Sequence, residues 1–85
     1  MNSSVIRFDN DTNDFIEIII KYNDSLTIVG IDCSQSVFLQ NNDKLKVEFL
    51  LDDKLHSLRS NSNLVVIKRC NEQLYPVYFY YSTIP

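Results

Sequence analysis

Few residues in this chain could carry out chemistry, and their spacing matches no catalytic motif. His56 is the single histidine. Its neighbours Asp52 and Asp53 are too close to it along the chain to form a catalytic triad with it. The nucleophile, the base and the residue that orients the base normally converge from distant segments. The single glycine excludes most phosphate-binding loops. The sequence therefore predicts a protein that is not an enzyme and that carries no cofactor, with His56 as a half-buried structural residue.

Metal binding has only a partial signature. Asp9, Asp11 and Asn13 alternate as in the first half of a calcium-binding loop. However, Asp14 stands where such a loop needs glycine, and Ile20 stands where it needs a bidentate glutamate. A solvated acidic turn is the better interpretation, so we predict no metal site.

The two cysteines, Cys33 and Cys70, are far apart and lack the CxxC spacing of zinc ligands. We expect two buried free thiols rather than a disulfide, as is usual in a reducing compartment. The chain has no run of eighteen apolar residues, and its N-terminus lacks a long apolar segment. These features predict a cytoplasmic protein without a membrane span.

The positive residues give a weak indication of an anion site. If the segment from Lys44 to Arg59 is a hairpin, Lys46 faces Arg59 across it. Two like charges opposite each other destabilise a sheet unless an anion or an acidic partner compensates them. Lys44, Lys46 and Arg59 are therefore a candidate basic patch. The alternative, which we prefer, is a solvated face of mixed charge that includes Glu48.

The aromatic C-terminal segment, LYPVYFYY, is the strongest candidate for a binding surface. Alternation along a strand places Pro76, Tyr78 and Tyr80 on one face. Proline cannot donate to a ladder, which indicates an edge strand, and tyrosines offer apolar area plus a hydroxyl group to a partner. We predict that Pro76, Tyr78, Tyr80 and Tyr81 bind a protein partner, and we expect a homodimer. The alternative is that these tyrosines lean over the sheet and bind nothing.

A small β-rich domain must position these residues. Alanine is absent, and β-branched and aromatic residues are abundant. Short β-type runs recur at intervals of roughly ten residues, separated by Asn, Asp and Ser. Residues 1–85 are therefore predicted to form a single all-β, mainly antiparallel domain. We expect a small barrel or sandwich of roughly six to eight short strands in a meander-like order.

The stretch from Phe15 to Ile31 is predicted to form the central hairpin. The second arm is apolar on both faces, which indicates a strand covered on both sides. A three-residue loop would place Ile20 opposite Ile28, whereas a two-residue loop would place Ile20 opposite Thr27. Pairing of like residues favours the longer loop. Gly30 lies inside the strand pattern, which indicates either a bulge or the close approach of another backbone, and we favour the bulge.

Residues 52–60 are compatible with two structures. If Asp52-Asp53 is a two-residue turn, the segment from Lys54 to Arg59 returns as a strand with His56 opposite Phe49. If Asp52 instead caps a short helix, three leucines fall on one helical face. The hairpin is favoured because a helix of about two turns is marginal without packing.

These features predict a non-enzymatic protein-binding module that acts by occupying a partner's surface. In general character it resembles small inhibitors made by phages and other mobile elements, which implies inhibition of a host defence protein in the host cell cytoplasm. The alternative is a small β-barrel that binds single-stranded nucleic acid through stacked aromatic residues and nearby lysines and arginines, including Lys68 and Arg69. The net charge of −3 argues against nucleic acid, which attracts basic surfaces.

Overall fold

The computed structural model describes residues 4–22, 24–41, 46–59 and 61–82, and these form eight strands. The strands are β1 (Ser4–Asn10), β2 (Ile16–Tyr22), β3 (Ser25–Ile31), β4 (Ser36–Asn41), β5 (Val47–Leu51), β6 (Lys54–Ser57), β7 (Leu64–Cys70) and β8 (Gln73–Phe79). No helix occurs within the described ranges. The predicted all-β class is therefore confirmed.

The eight strands form two four-stranded sheets that pack face to face. Their orders are β4-β1-β7-β8 and β3-β2-β5-β6. Among the described strands, β1 and β7 pair in parallel and the other neighbours pair antiparallel. Phe8 of the first sheet meets Phe49 of the second edge to face, with 5.5 Å between ring centroids. This arrangement is a sandwich of two separate sheets.

The strand order differs from the predicted meander. The consecutive strands β1 and β2 lie in different sheets, and so do β3 and β4. In addition, β7 enters between β1 and β8. Alternation along a strand indicates which side chains face inward, but it does not indicate which strand becomes the neighbour. Crossing between the sheets lets each one cover the apolar face of the other.

Alternate residues of the strands build one core between the two sheets. In β2 the alternate residues Ile16, Ile18 and Ile20 are buried, whereas the side chain of Tyr22 lies outside the described residues. The other members of the core cluster are Ile6, Phe8, Ile31, Val47, Phe49, Leu51, Val65, Ile67 and Leu74. The core therefore draws on both sheets.

The turn between β2 and β3 is shorter than predicted. Ile20 pairs with Thr27 rather than with Ile28, so the loop has two residues and the predicted three-residue loop is wrong. Asp24 has a φ of 67°, in the left-handed region that two-residue hairpin loops require. Pairing of like residues misled the prediction because Ile28 belongs to the outer face, where it pairs with Ile19.

The strand β3 lies at the edge of its sheet, not in the middle as predicted. Leu26 and Ile28 are 67% and 66% exposed. Gly30 causes no bulge, since the pairing of β2 with β3 continues through it. Instead the ring of Phe15 lies on Gly30, where an added Cβ would come within 2.5 Å of the ring's Cζ atom. Gly30 thus makes room for an aromatic side chain.

The segment after β5 is a hairpin, and the helix considered for residues 52–60 is wrong for its described part, residues 52–59. Asp52 and Asp53 form the turn, with φ values of 47° and 65°. His56 pairs with Phe49, as the sequence predicted. Consecutive aspartates tolerate left-handed backbone well enough to make a two-residue turn.

Candidate protein-binding surface

The aromatic strand β8 lies at the edge of its sheet, next to β7. The carbonyl of Phe79 accepts a hydrogen bond from the Asn63 N–H at 3.0 Å. The Leu74 N–H points away from β7 and donates to the side chain of Asp52, in the other sheet, at 3.4 Å. Residues two apart in a strand direct their backbone groups to the same side, so Pro76 also faces away from β7. Proline therefore removes no hydrogen bond from the ladder, in agreement with the predicted edge position.

The two faces of β8 have different environments. Tyr75 and Phe79 project from the outer face and are 39% and 41% exposed. Tyr78 points toward the other sheet, where its ring lies 6.4 Å from that of Phe49. Tyr80 follows the end of β8 and is 64% exposed. Tyr78 and Tyr80 are thus not displayed together as the alternation suggested, because the strand ends between them.

The side chain of Asn63 holds the segment that follows β8. The Tyr81 N–H donates to Asn63 Oδ1 at 2.9 Å, and Asn63 Nδ2 donates to the Tyr81 carbonyl at 2.6 Å. A carboxamide offers one acceptor and one donor in the same spacing as a backbone amide, so Asn63 acts as a short substitute for a strand. The backbone of Tyr81 is thereby held, and the rings of Tyr80 and Tyr81 are exposed. Asn63 was not among the residues that the sequence predicted for this surface.

Arg59 completes the surface from the side of the second sheet. Its guanidinium carbon lies 5.4 Å from the centroid of the Tyr78 ring, which is the geometry of a cation–π contact. Burial raises the pKa of Tyr78, and the charge of Arg59 opposes part of that rise. The Tyr78 hydroxyl is therefore neutral at physiological pH and able to donate a hydrogen bond.

These side chains line an open groove of about 480 Å³, which we call the aromatic groove. Its lining residues are Arg59, Asn61, Ser62, Tyr75, Pro76, Val77, Tyr78, Phe79 and Tyr80. This described lining contains a cation and no carboxylate, although the whole chain carries a charge of −3. The groove can therefore contact apolar groups and accept a negatively charged one.

The two described residues of the predicted basic patch, Lys46 and Arg59, contact different side chains. Lys44 lies outside the described residues. Lys46 Nζ is 3.7 Å from the carboxylate of Glu48, which matches the mixed-charge face that the sequence favoured. Arg59 instead stacks on Tyr78. The anion site remains a prediction, and of the three residues Arg59 is the one that belongs to the groove.

The expectation of buried cysteine thiols is wrong. Cys33 and Cys70 are both exposed and are not bonded to each other in the described structure. Cys33 lies in the turn after β3, and Cys70 ends β7, so neither side chain enters the core. A position in a turn or at the end of a strand leaves each thiol at the surface, which composition alone does not reveal.

The described residues provide no assembled metal centre. Within residues 4–22, 24–41, 46–59 and 61–82, no three His, Cys, Asp or Glu side chains come together to hold a metal ion. Over the same ranges, no helix is long and apolar enough to cross a membrane.

Comparisons with models of protein families, with curated proteins and with solved structures find no match for this chain. The aromatic groove must therefore be interpreted from its own geometry and charge.

Proposed function

We propose that this protein is a non-enzymatic binding module that covers the surface of a protein partner with its aromatic groove. The observation that carries this proposal is an edge strand with exposed aromatic rings on and beyond it. Tyr75, Phe79, Tyr80 and Tyr81 are between 39% and 64% exposed. Exposed tyrosines beside an arginine have the composition of the residues that supply most of the free energy at protein interfaces.

The rigidity of the surface supports the same function. Two hydrogen bonds with Asn63, one donated and one accepted by its side chain, hold the backbone of Tyr81, and Arg59 packs on Tyr78. Side chains that are already ordered lose less conformational entropy when a partner binds. The groove therefore binds with less entropic cost than a mobile tail of the same composition.

The charge of the groove defines the kind of partner. Arg59 supplies a cation that no carboxylate among the described lining residues neutralises. The complementary partner is a protein surface that combines apolar side chains with a carboxylate. The biological setting that fits this mode of action is a small inhibitor encoded by a phage or another mobile element, which blocks a host defence protein by covering it. The general resemblance in size and composition supports that setting.

The alternative, binding of single-stranded nucleic acid, has weaker support. Lys68 Nζ donates to Asp11 at 2.7 Å, and Arg69 lies 3.4 Å from Asp14. Carboxylates thus neutralise two of the cations that would have to contact phosphates. Oligonucleotide binding that weakens steeply with added salt would favour this alternative over the proposed function.

The proposed function is tested by replacing Tyr80 and Tyr81 together with serine, since these rings are exposed and lie outside the core. The partner is captured from a native lysate with the wild-type protein, and its affinity for each variant is then measured. The double variant should bind at least about tenfold more weakly, as expected when residues that dominate an interface are removed.

Phe38→Ser provides the matched control, because Phe38 is 56% exposed on β4 at the opposite edge of the same sheet. It should bind like the wild type. Unchanged affinity of the Tyr80→Ser/Tyr81→Ser variant, with the fold intact by circular dichroism, would contradict the proposal.

A further inference from the structure

The edge of β3 that is unpaired among the described strands is a second surface, on the side of the sandwich opposite the aromatic groove. β3 lies at one end of its sheet and β6 lies at the other, and the groove is next to β6 through the contact between Arg59 and Tyr78. β3 has seven residues, SLTIVGI, with no charge and no proline. Natural edge strands are usually short, charged, bulged or interrupted by proline, which prevents pairing with another chain.

Other edges of the sandwich carry such protection. β6 has four residues and begins with Lys54. In β8, Pro76 removes one outward N–H, and the Leu74 N–H is already bonded to Asp52. β4 is uncharged like β3, but β3 has the more apolar exposed side chains, with Leu26 and Ile28 about two-thirds exposed. β3 is therefore the edge best suited to pairing with a further strand.

The pairing of β2 with β3 shows which backbone groups of β3 are available. A two-residue loop closes on a hydrogen-bonded pair, here Tyr22 and Ser25, so every second residue from Ser25 bonds to β2. The hydrogen bond from the Leu58 N–H to the Val47 carbonyl leads to the same assignment. It shows which residues of β5 direct their backbone groups away from β2, so the alternate residues of β5 bond to β2. The registers of β5 and β2 then give the same residues of β3 as bonded to β2. The remaining residues direct their N–H and C=O groups away from the sheet: Leu26, Ile28 and Gly30.

We propose that a second copy of this chain pairs with this edge, antiparallel, strand β3 to strand β3. Leu26 of each copy lies opposite Ile28 of the partner subunit, and Thr27 lies on the two-fold axis. The backbone groups of Leu26 and Ile28 then satisfy each other, and their exposed side chains become cross-strand neighbours on the outer face. The β3-β2-β5-β6 sheet of one copy and the same sheet of the partner subunit then form one continuous sheet of eight strands.

Two other registers bring the same backbone groups together, and each has a disadvantage. With Leu26 opposite itself, only residues 25–27 of β3 would be paired. In the alternative register of full overlap Ile28 would lie opposite itself, and Asp24 would lie opposite Asp32 of the partner subunit at both ends of the pairing. Like charges directly opposite each other destabilise a sheet. In the proposed register Asp24 lies opposite Gly30 of the partner subunit, so both aspartates avoid a like charge. An uncharged strand between two aspartates therefore accepts its own copy when the pairing is offset in this way.

The size of the edge sets the strength of the dimer. A single strand edge with two exposed apolar side chains buries less than the roughly 800 Å² per partner of a standard interface. The dissociation constant of the dimer is therefore expected to be about micromolar or higher. Because the aromatic groove lies at the other side of each sandwich, the dimer presents two free grooves.

Cross-linking tests the register directly, in a protein whose native thiols are removed by Cys33→Ser and Cys70→Ser. In the proposed register position 27 faces itself at a non-hydrogen-bonded pair, where Cα atoms are about 4.5 Å apart, within the range that a disulfide spans. The Thr27→Cys variant should form an intermolecular disulfide under mild oxidation. The Ile28→Cys variant, which faces itself only in the alternative register, should do so at least about tenfold more slowly. Equal rates, or the reverse order, would overturn the proposal.

The mass in solution tests the edge itself. At high concentration the wild type should approach twice the chain mass of 9.9 kDa. Ile28→Pro removes an outward N–H without removing a hydrogen bond to β2, so this variant should be monomeric. Ile28→Thr keeps that N–H and should still dimerise. Leu55→Ser removes an exposed side chain from the opposite edge of the same sheet and should leave the dimer intact.

Three results would contradict pairing through β3. One is a wild type that stays monomeric into the millimolar range. Another is loss of the dimer in Leu55→Ser with retention in Ile28→Pro, which would indicate packing through the outer face. The third is loss of the dimer in Tyr80→Ser/Tyr81→Ser, which would assign self-association to the aromatic groove. If Ile28→Pro fails to fold, the cross-linking rates decide.

Discussion

His56 shows how burial controls the ionisation of one side chain in this protein. Its ring stacks on Phe49, with centroids 5.5 Å apart and an angle of 25° between the planes. Nε2 is enclosed and has no hydrogen-bond partner among the described residues. Burial, and then the charge of Lys54, lowers the pKa of His56 below the ordinary 6.5. Protonation in the folded state would place a charge at a partly buried ring, where water solvates it less well than in the unfolded chain.

This shift predicts that stability decreases as the pH falls below about 6.5. Between the folded and the unfolded pKa of His56 the unfolded chain binds more protons, so the free energy of unfolding rises with pH in that interval. Urea unfolding from about pH 7.5 down to about pH 5, above the main titration of carboxylates, measures the effect. His56→Phe keeps a ring against Phe49 and should reduce the dependence. Identical pH profiles for the two proteins would contradict this role.

Asn10 is a second single residue with a structural role, in the acidic turn between β1 and β2. Its side chain is buried, and Nδ2 donates to the carbonyls of Asp14 and Ile31, each at 2.8 Å. Oδ1 accepts from the Thr12 N–H at 3.0 Å and from the Thr12 hydroxyl at 2.6 Å. These bonds tie the turn between β1 and β2 to the end of β3. The turn is therefore organised around a buried amide, a feature that the prediction of a solvated acidic turn did not include.

At the scale of elements, two-residue turns form the three hairpins of the described structure. They join β2 to β3, β5 to β6 and β7 to β8. With one glycine in the chain, polar residues take the left-handed conformations, including Asn71 at a φ of 51° and Glu72 at 66°. Asparagine tolerates this region, whereas glutamate has no short side chain to stabilise it.

Glu72→Gly is therefore predicted to stabilise the protein. It creates the Asn-Gly pair that two-residue hairpin turns prefer. Relief of the left-handed strain exceeds the added flexibility of the unfolded chain, for a net gain of about 0.5 to 1 kcal/mol. Glu72→Ala is the control, because it removes the same carboxylate but keeps the strain. Urea unfolding that shows no difference between the glycine and alanine variants would contradict the argument.

At the scale of the whole molecule, aromatic residues join the two sheets. The fully buried rings of Phe8 and Phe49 meet edge to face. Phe49 also contacts Tyr78 and His56, so one side chain links the core to the floor of the aromatic groove. The stability of a chain of this length is of the order of 10 kcal/mol, so this one residue accounts for a substantial part of it.

Phe49→Ala is predicted to lower the free energy of unfolding by about 3 to 5 kcal/mol, through lost burial and the cavity that remains. Phe38→Ala removes the same atoms from an exposed site on β4 and should cost less than about 1 kcal/mol. Denaturant unfolding compares the two variants. Similar losses would show that the sheets are not held together mainly at Phe49.

Local patterns in the sequence determined much of this structure. Alternation identified the all-β class, and the paired aspartates identified the β5–β6 hairpin with its register at His56 and Phe49. Pro76 marked β8 as an edge strand. Each of these depends on residues that are close along the chain, so side-chain period and turn geometry were enough.

Only the tertiary structure decided how the strands are distributed between two sheets. It placed β3 at an edge although its residues are apolar on both faces, and it turned Tyr78 inward while leaving Tyr80 exposed. It also brought Asn63 to the backbone of Tyr81 and Arg59 to the ring of Tyr78. The physical reason is that apolar side chains have the same period whether their strand becomes central or peripheral. Which face is covered depends on the packing of segments that are distant in sequence.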